Sequence, residues 1–137
     1  MYVTNNIKIF NKLKEYEIDE RYNELKIEYN GKCNKDTIAN MTNHSYFNLN
    51  GHASGNILEH ELWVDADSFT VTDDKLIPTG EIVPVYGTPM DFREKKLVGR
   101  DIDQPYEALV FAGGYDHNWC LNNKGEYRKV IELFTSV

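Results

Sequence analysis

Two short stretches concentrate the side chains able to move protons or hold hydroxyl groups. The first is residues 40–49, Asn-Met-Thr-Asn-His-Ser-Tyr-Phe-Asn-Leu, which sets His44, Ser45 and Tyr46 side by side among Thr42, Asn40, Asn43 and Asn48. An imidazole gives or takes a proton near neutral pH, and with a neighbouring phenol it makes a proton-transfer pair. On a strand, His44 and Tyr46 would share one face, because side chains alternate with a period of two. The plainer alternative is a solvated histidine among turn-forming asparagines. The second stretch is residues 113–119, Gly-Gly-Tyr-Asp-His-Asn-Trp. Gly113 and Gly114 allow a tight bend or a close approach of backbone to a ligand. On a strand beyond them, Asp116 and Asn118 would share one face, with His117 and Trp119 on the other. A carboxylate such as Asp116 accepts hydrogen bonds from two adjacent hydroxyls, and the Asn118 carboxamide adds a donor and an acceptor. Its plain alternative is a glycine turn whose aspartate caps the bend.

Other polar residues read as structural. Leu76-Ile77-Pro78-Thr79-Gly80-Glu81 and Gly87-Thr88-Pro89-Met90-Asp91-Phe92 carry Pro and Gly at turn spacing. His44, His52, His60, His117, Cys33 and Cys120 are of metal-ligand type. The gap between His52 and His60 fits no common zinc spacing, and Cys-x-x-Cys is absent from the sequence, so no metal site is expected. His52 reads as a loop residue and His60 as a strand start.

Short strands must position these stretches. Leu25, Ile27 and Tyr29 alternate with Lys26 and Glu28, and Asn30-Gly31 reads as a tight turn after them. Asn50-Gly51 reads as another. Leu62, Val64 and Ala66 alternate again. Residues 82–86 are β-rich but contain Pro84, which confines them to an edge or an irregular strand. Residues 115–121 and 127–134 make two more strands, joined by a hairpin turn at Asn122-Asn123-Lys124-Gly125. Residues 90–105 are polar and irregular, with a helical turn around 94–98. Before all of these, residues 5–17 carry Ile9, Leu13 and Tyr16 at helical spacing, with Thr4 or Asn5 as a cap. That predicts one short N-terminal helix ahead of an all-β sandwich or barrel.

Composition bounds the function. A chain of 137 residues suits one domain, which would bury roughly 68–70% of its unfolded surface. The net charge of −7 disfavours nucleic acid and anionic membranes as partners, since both require clustered Lys and Arg. The small cluster Arg93, Lys95, Lys96 and Arg100 is broken by Glu94 and reads as a solvated face. Apolar runs fall short of the ~18 residues of a membrane span, and the first residues lack a signal-peptide core. A cytoplasmic protein with free thiols at Cys33 and Cys120 is therefore expected. Aromatic residues make up 12%, including nine tyrosines, and such faces suit both strand packing and the C–H surfaces of sugars.

Residues 40–49 resemble the signature of the aldose 1-epimerase family: Asn or Ser, any residue, Thr-Asn-His, any residue, Tyr, an aromatic, Asn, Leu. Further segments support the resemblance in order: the 23–29 strand, His60-Glu61-Leu62 leading to Asp65-Ala66, Ile77-Pro78-Thr79-Gly80, the 87–92 segment and Gly114-Tyr115-Asp116-His117-Asn118. It covers residues 16–132 and divides the chain into a non-matching segment, 1–15, and a partial epimerase domain, 16–137. The resemblance implies a large antiparallel β-sandwich of the galactose mutarotase type. It implies interconversion of the α and β anomers of free aldoses such as galactose and glucose, without metal or organic cofactor. His44 would be the acid that protonates the ring oxygen, Ser45 and Tyr46 would lie beside the sugar, and Asp116 would bind its hydroxyls. Sugar phosphates would require a basic cluster near His44, which the sequence lacks, so free sugars are favoured.

The family pattern is longer than this sequence. Its arginine and second histidine lie upstream of the matching part, and its general-base glutamate lies well downstream of the Asp116 segment. Glu126 and Glu132 follow Asp116 too closely to be that base. The resemblance thus implies a sandwich incomplete at both ends, weakly active or inactive alone. Exposed sheet edges would invite self-association or a partner chain. The alternatives are a non-catalytic carbohydrate-binding fragment and a fragment that completes another protein's sheet.

Overall fold

The computed structural model describes residues 12–13, 17–19, 24–26, 29–39, 44–122 and 128–135. The chain divides into two compact units, residues 1–46 and 47–137. In the first, β1 (Lys12–Leu13) pairs antiparallel with β4 (Tyr29–Asn30), and β2 (Glu17–Asp19) with β3 (Glu24–Lys26). The helix expected over residues 5–17 is therefore corrected where the structure describes it, since Lys12, Leu13 and Glu17 lie in strands. A short helix must nucleate at a cost, whereas ladder pairing with residues 24–30 satisfies the same backbone groups. The remainder of that segment lies outside the described residues. The strand expected around Leu25 and Tyr29 is present as β3 and β4. Asn30 is still paired, opposite Lys12, and Gly31 is not among the positive-φ glycines, so the expected Asn30-Gly31 turn does not form.

In the second unit, β5 (Glu61–Val64) and β6 (Ala66–Thr72) run in succession through its centre, as the alternation of Leu62, Val64 and Ala66 requires. Val64, Ala66 and Phe69 are buried. Strict alternation would expose Phe69, but the register with the neighbouring strand shifts between Ala66 and Ser68. A bulge there moves the buried parity by one residue. Among the described residues β7 (Pro78–Pro84) pairs with β6 alone, in the sheet order β7-β6-β9, so the Pro84 strand sits at an edge as expected. Asp73 shapes the β6–β7 turn: its carboxylate accepts the Lys75 and Ile77 amides, each at 2.9 Å.

β9 (Trp119–Leu121) pairs with β6, while β10 (Ile131–Phe134) pairs with β5. The expected β9–β10 hairpin is thus corrected. The two strands follow one another along the β5–β6 run. Asp65 explains this. Its amide donates to the Val130 carbonyl at 2.9 Å and its carbonyl accepts the Asn122 amide at 3.0 Å. Its carboxylate also takes the Asn122 side chain at 2.9 Å and pairs with Arg128. Residues 123–127 of the expected turn lie outside the described residues.

Residues 96–100 form β8 (Lys96–Leu97) and a 3₁₀ turn, Val98–Arg100, where one helical turn was expected slightly earlier. Helix α1 (Glu107–Ala112) is a feature the sequence reading misses, having assigned strands and turns throughout this part. Six residues are too few to show a helical period against an apolar background. Gly113 closes α1 in the left-handed region, φ 67°, so the expected glycine bend is present and serves as a helix cap. The core consists of Phe69, Val85, Met90 and Leu109 in one cluster and Val64, Ala66 and Phe92 in another. Tyr115 and Trp119 pack against both.

Candidate functional site

His44, Ser45 and Tyr46 belong to the first unit and Asp116 to the second. Residues 44–48 are irregular rather than the strand expected for them. Asparagine supplies a local reason. The Asn48 side chain accepts the Asn50 amide and donates to the Gly55 carbonyl, both at 3.1 Å, and its carbonyl accepts the Gly51 amide. Such short-range bonds compete with ladder formation. Gly51 at φ 101° completes the expected Asn50-Gly51 turn. The His44 and Tyr46 rings nevertheless lie together, centroids 5.0 Å apart and tilted by 48°. Both side chains are exposed, as is Ser45.

Leu49 donates its amide to His60 Nε2 at 3.0 Å, and His60 is fully buried. His60 immediately precedes β5, where a strand-start histidine was expected, and it accepts a bond from the loop that follows Tyr46. Cys33 and Cys120 are free. Among the described residues, no three His, Cys, Asp or Glu side chains are gathered as metal ligands would be.

The Asp116 stretch is built more firmly. Its residues alternate as expected, with Asp116 and Asn118 exposed and His117 and Trp119 half-buried. The Thr70 amide donates to the Asn118 carbonyl at 2.9 Å, and Asn118 Nδ2 donates to Thr70 Oγ1 at 3.0 Å. His117 sits edge-on to Phe69 and Trp119, centroids 5.8 and 6.2 Å away. Burial between these rings pushes the His117 imidazole below the usual histidine range, with the Asp116 charge opposing. Its Nδ1 accepts the Asp116 amide at 3.2 Å, which assigns the proton of the neutral ring to Nε2.

Beneath Asp116 lies the segment 87–92, expected to be structural. Tyr115 donates its hydroxyl to the Pro89 carbonyl at 3.1 Å, and Trp119 donates its indole N–H to the Met90 carbonyl at 3.0 Å. Burial raises the Tyr115 phenol to about 12, so it stays a donor at neutral pH. Lys96 donates to the same Pro89 carbonyl at 2.7 Å and to Asp101 at 2.6 Å, and stands 4.4 Å from the Phe92 ring centroid. Its side chain is only 5% exposed, which corrects the reading of the basic cluster as a solvated face. Lys95 and Arg100 do lie outward, and Arg93 spans Asp91 and Asp67. In sequence, Lys95 and Lys96 are indistinguishable, and only their burial separates them. A cleft of about 570 Å³ opens beside Lys96, lined also by Tyr86, Thr88, Arg93 and Asp101. His44, Tyr46 and Asp116 are not among its lining residues.

The antiparallel sheets of the two units define the fold class to be matched. A model of the aldose 1-epimerase family matches residues 13–135, and the chain belongs to that family. Galactose mutarotase of Sus scrofa is 43% identical over 124 residues, covering 82% of this chain and 35% of that protein. The human galactose mutarotase is 42% identical over the same shares. Aldose 1-epimerase of Escherichia coli is 36% identical over 108 residues, covering 79% of this chain and 31% of that protein. The chain therefore spans about a third of the length of these relatives. The solved galactose 1-epimerase from Lactobacillus acidophilus shares the fold with a TM-score of 0.53 at 24% identity, over 58% of this chain and 23% of that one. Among the described residues no helix is long and apolar enough to cross a membrane.

Proposed function

We propose that the chain is the acid-bearing part of an aldose 1-epimerase acting on free aldoses such as galactose and glucose. The observation that carries this reading is the exposed His44 ring, 5.0 Å from Tyr46, within a span that matches the family. His44 donates a proton to the ring oxygen while a base takes the proton of the anomeric hydroxyl. The C1–O5 bond breaks, the anomeric carbon becomes an aldehyde, and rotation about C1–C2 turns its other face to the O5 hydroxyl. Closure returns both protons and leaves the opposite anomer. Each positioned acid or base contributes about 10²- to 10⁴-fold to such a step. Tyr46 and Ser45 lie beside the sugar in this reading, and Asp116 accepts bonds from its hydroxyls.

The base is the glutamate that the family resemblance sets well downstream of Asp116. Glu132 lies in β10 opposite Trp63 and is paired with Lys129 at 2.6 Å, an arrangement that suits a strand residue rather than a base. The second reading, a fragment that binds carbohydrate or completes a sheet without turnover, draws on the edge strand β7, whose Ile82 is 60% exposed. Polarimetry of freshly dissolved α-galactose separates the readings. Exchange faster than buffer that is lost in His44→Ala supports catalysis by this chain. Sugar binding with a buffer-like exchange rate supports the binding fragment. If folded protein neither binds galactose nor speeds exchange, the proposed function is wrong.

A further inference from the structure

We infer that Tyr115 and Lys96 are positioning residues for Asp116, acting through the backbone of Pro89. This rests on the proposed role of Asp116 as the carboxylate that holds sugar hydroxyls. The Pro89 carbonyl accepts two bonds, from the Tyr115 hydroxyl at 3.1 Å and from Lys96 Nζ at 2.7 Å. Tyr115 is the residue directly before Asp116. A carbonyl has two lone pairs, so both donors are accommodated, and each fixes the oxygen the other uses. Lys96 is itself fixed by Asp101, whose second oxygen accepts Gln104 Nε2 at 2.8 Å.

The chain around Asp116 is thereby held on both sides. Tyr115 is tied to Pro89, and four residues later Trp119 is tied to Met90 through its indole at 3.0 Å. Phe92 fills the space between them, with centroids 5.0 Å from Tyr115 and 6.0 Å from Trp119. His117 is held between Phe69 and Trp119 and accepts the Asp116 amide. Asp116 itself remains exposed, a carboxylate presented on a segment whose neighbours have little freedom. A ligand that needs two hydroxyls met at fixed geometry gains from such preorganisation, because the ordering is already complete before it binds. The buried Lys96–Asp101 pair thus supports binding at a site it does not touch.

The test uses the whole chain with Tyr115→Phe and Lys96→Arg. The first removes one hydroxyl and little volume. The second keeps the charge but not the single-point contact with Pro89. Backbone amide exchange over residues 115–118 should accelerate about 10-fold or more in each variant. Galactose affinity, measured by calorimetry, should fall roughly 5- to 10-fold in Tyr115→Phe, as for loss of one neutral hydrogen bond. In an Asp116→Asn background the same substitution should leave affinity unchanged, a coupling that general loosening of the fold does not produce. Unaltered exchange in both variants, or an equal affinity loss with and without Asp116, overturns the inference. Accelerated exchange together with an Asp116→Asn variant that binds galactose normally overturns the sugar role of Asp116 instead.

Discussion

Replacing Lys96 with Met tests whether the buried cation organises this unit. Lys96 and Asp101 are 5% and 11% exposed at the side chain and 2.6 Å apart. Methionine fills nearly the same volume against Phe92 but leaves the Asp101 carboxylate without its buried cation, with only the exposed Arg100 at 3.5 Å, and the Pro89 carbonyl without one donor. Removing one partner of a buried pair costs about 3–5 kcal/mol, because the remaining charge stays desolvated. For a chain of this length that corresponds to a fall in Tm of roughly 10–20 °C. The pH dependence gives a second reading. The Lys96 hydrogen bond holds the Asp101 carboxyl below its ordinary range, against an opposing effect of burial. A carboxyl lowered on folding contributes stability that is present above its unfolded value, about 3.9, and lost as pH falls through its folded value. Urea denaturation from pH 7 down to pH 2 should therefore show the native chain losing this contribution with acid. In Lys96→Met the carboxyl should instead become easier to protonate, so the difference between the proteins narrows at low pH. Introducing Leu at 101 alongside Met at 96 should recover part of the loss, since no unpaired charge remains. A Lys96→Met chain within 1 kcal/mol of native at pH 7, or a difference that does not change with pH, would refute this account of the pair.

Two other outcomes follow from the same unit. An alanine at Gly99 would bring its Cβ to 2.9 Å from Leu58 Cβ and 3.0 Å from the Leu58 carbonyl oxygen, where Gly99 already donates at 2.8 Å. Gly99→Ala should destabilise by about 1–3 kcal/mol, read as a lower urea midpoint, and an unchanged midpoint would contradict the close approach. Absorbance titration of the tyrosines at 295 nm should show a late phenol near 12 that disappears in Tyr115→Phe. Because that phenol is raised on folding, stability should decline as pH rises from about 10, where the unfolded chain ionises first.

The alternation of Leu62, Val64 and Ala66 and the edge placement demanded by Pro84 were legible in the sequence, because period-two patterning and a missing backbone donor are local facts. So was the alternation of Asp116 and Asn118 against His117 and Trp119. The family was legible in the densely spaced residues 40–49 and 113–119, where many side-chain types recur at set intervals. Local pattern could not reveal which strands pair. β9 and β10 are close in sequence and look like a hairpin, yet each takes a different stretch of the β5–β6 run, with Asp65 bonded to Asn122 after β9 and to Val130 before β10. Nor could it place the N-terminal segment, where Lys12, Leu13 and Glu17–Asp19 pair as strands with residues 29–30 and 24–26.

The sequence by itself determined the family, because the match over residues 13–135 rests on the identity and spacing of side chains along the chain. Tertiary structure alone decided which charges are exposed and which are buried. Lys95 and Lys96 are chemically alike, but the pairing of β8 with β5 leaves Lys95 at the surface beside Glu61 and carries Lys96 to the Pro89 carbonyl. Burial depends on contacts between residues distant along the chain, and those exist only once the sheets have assembled.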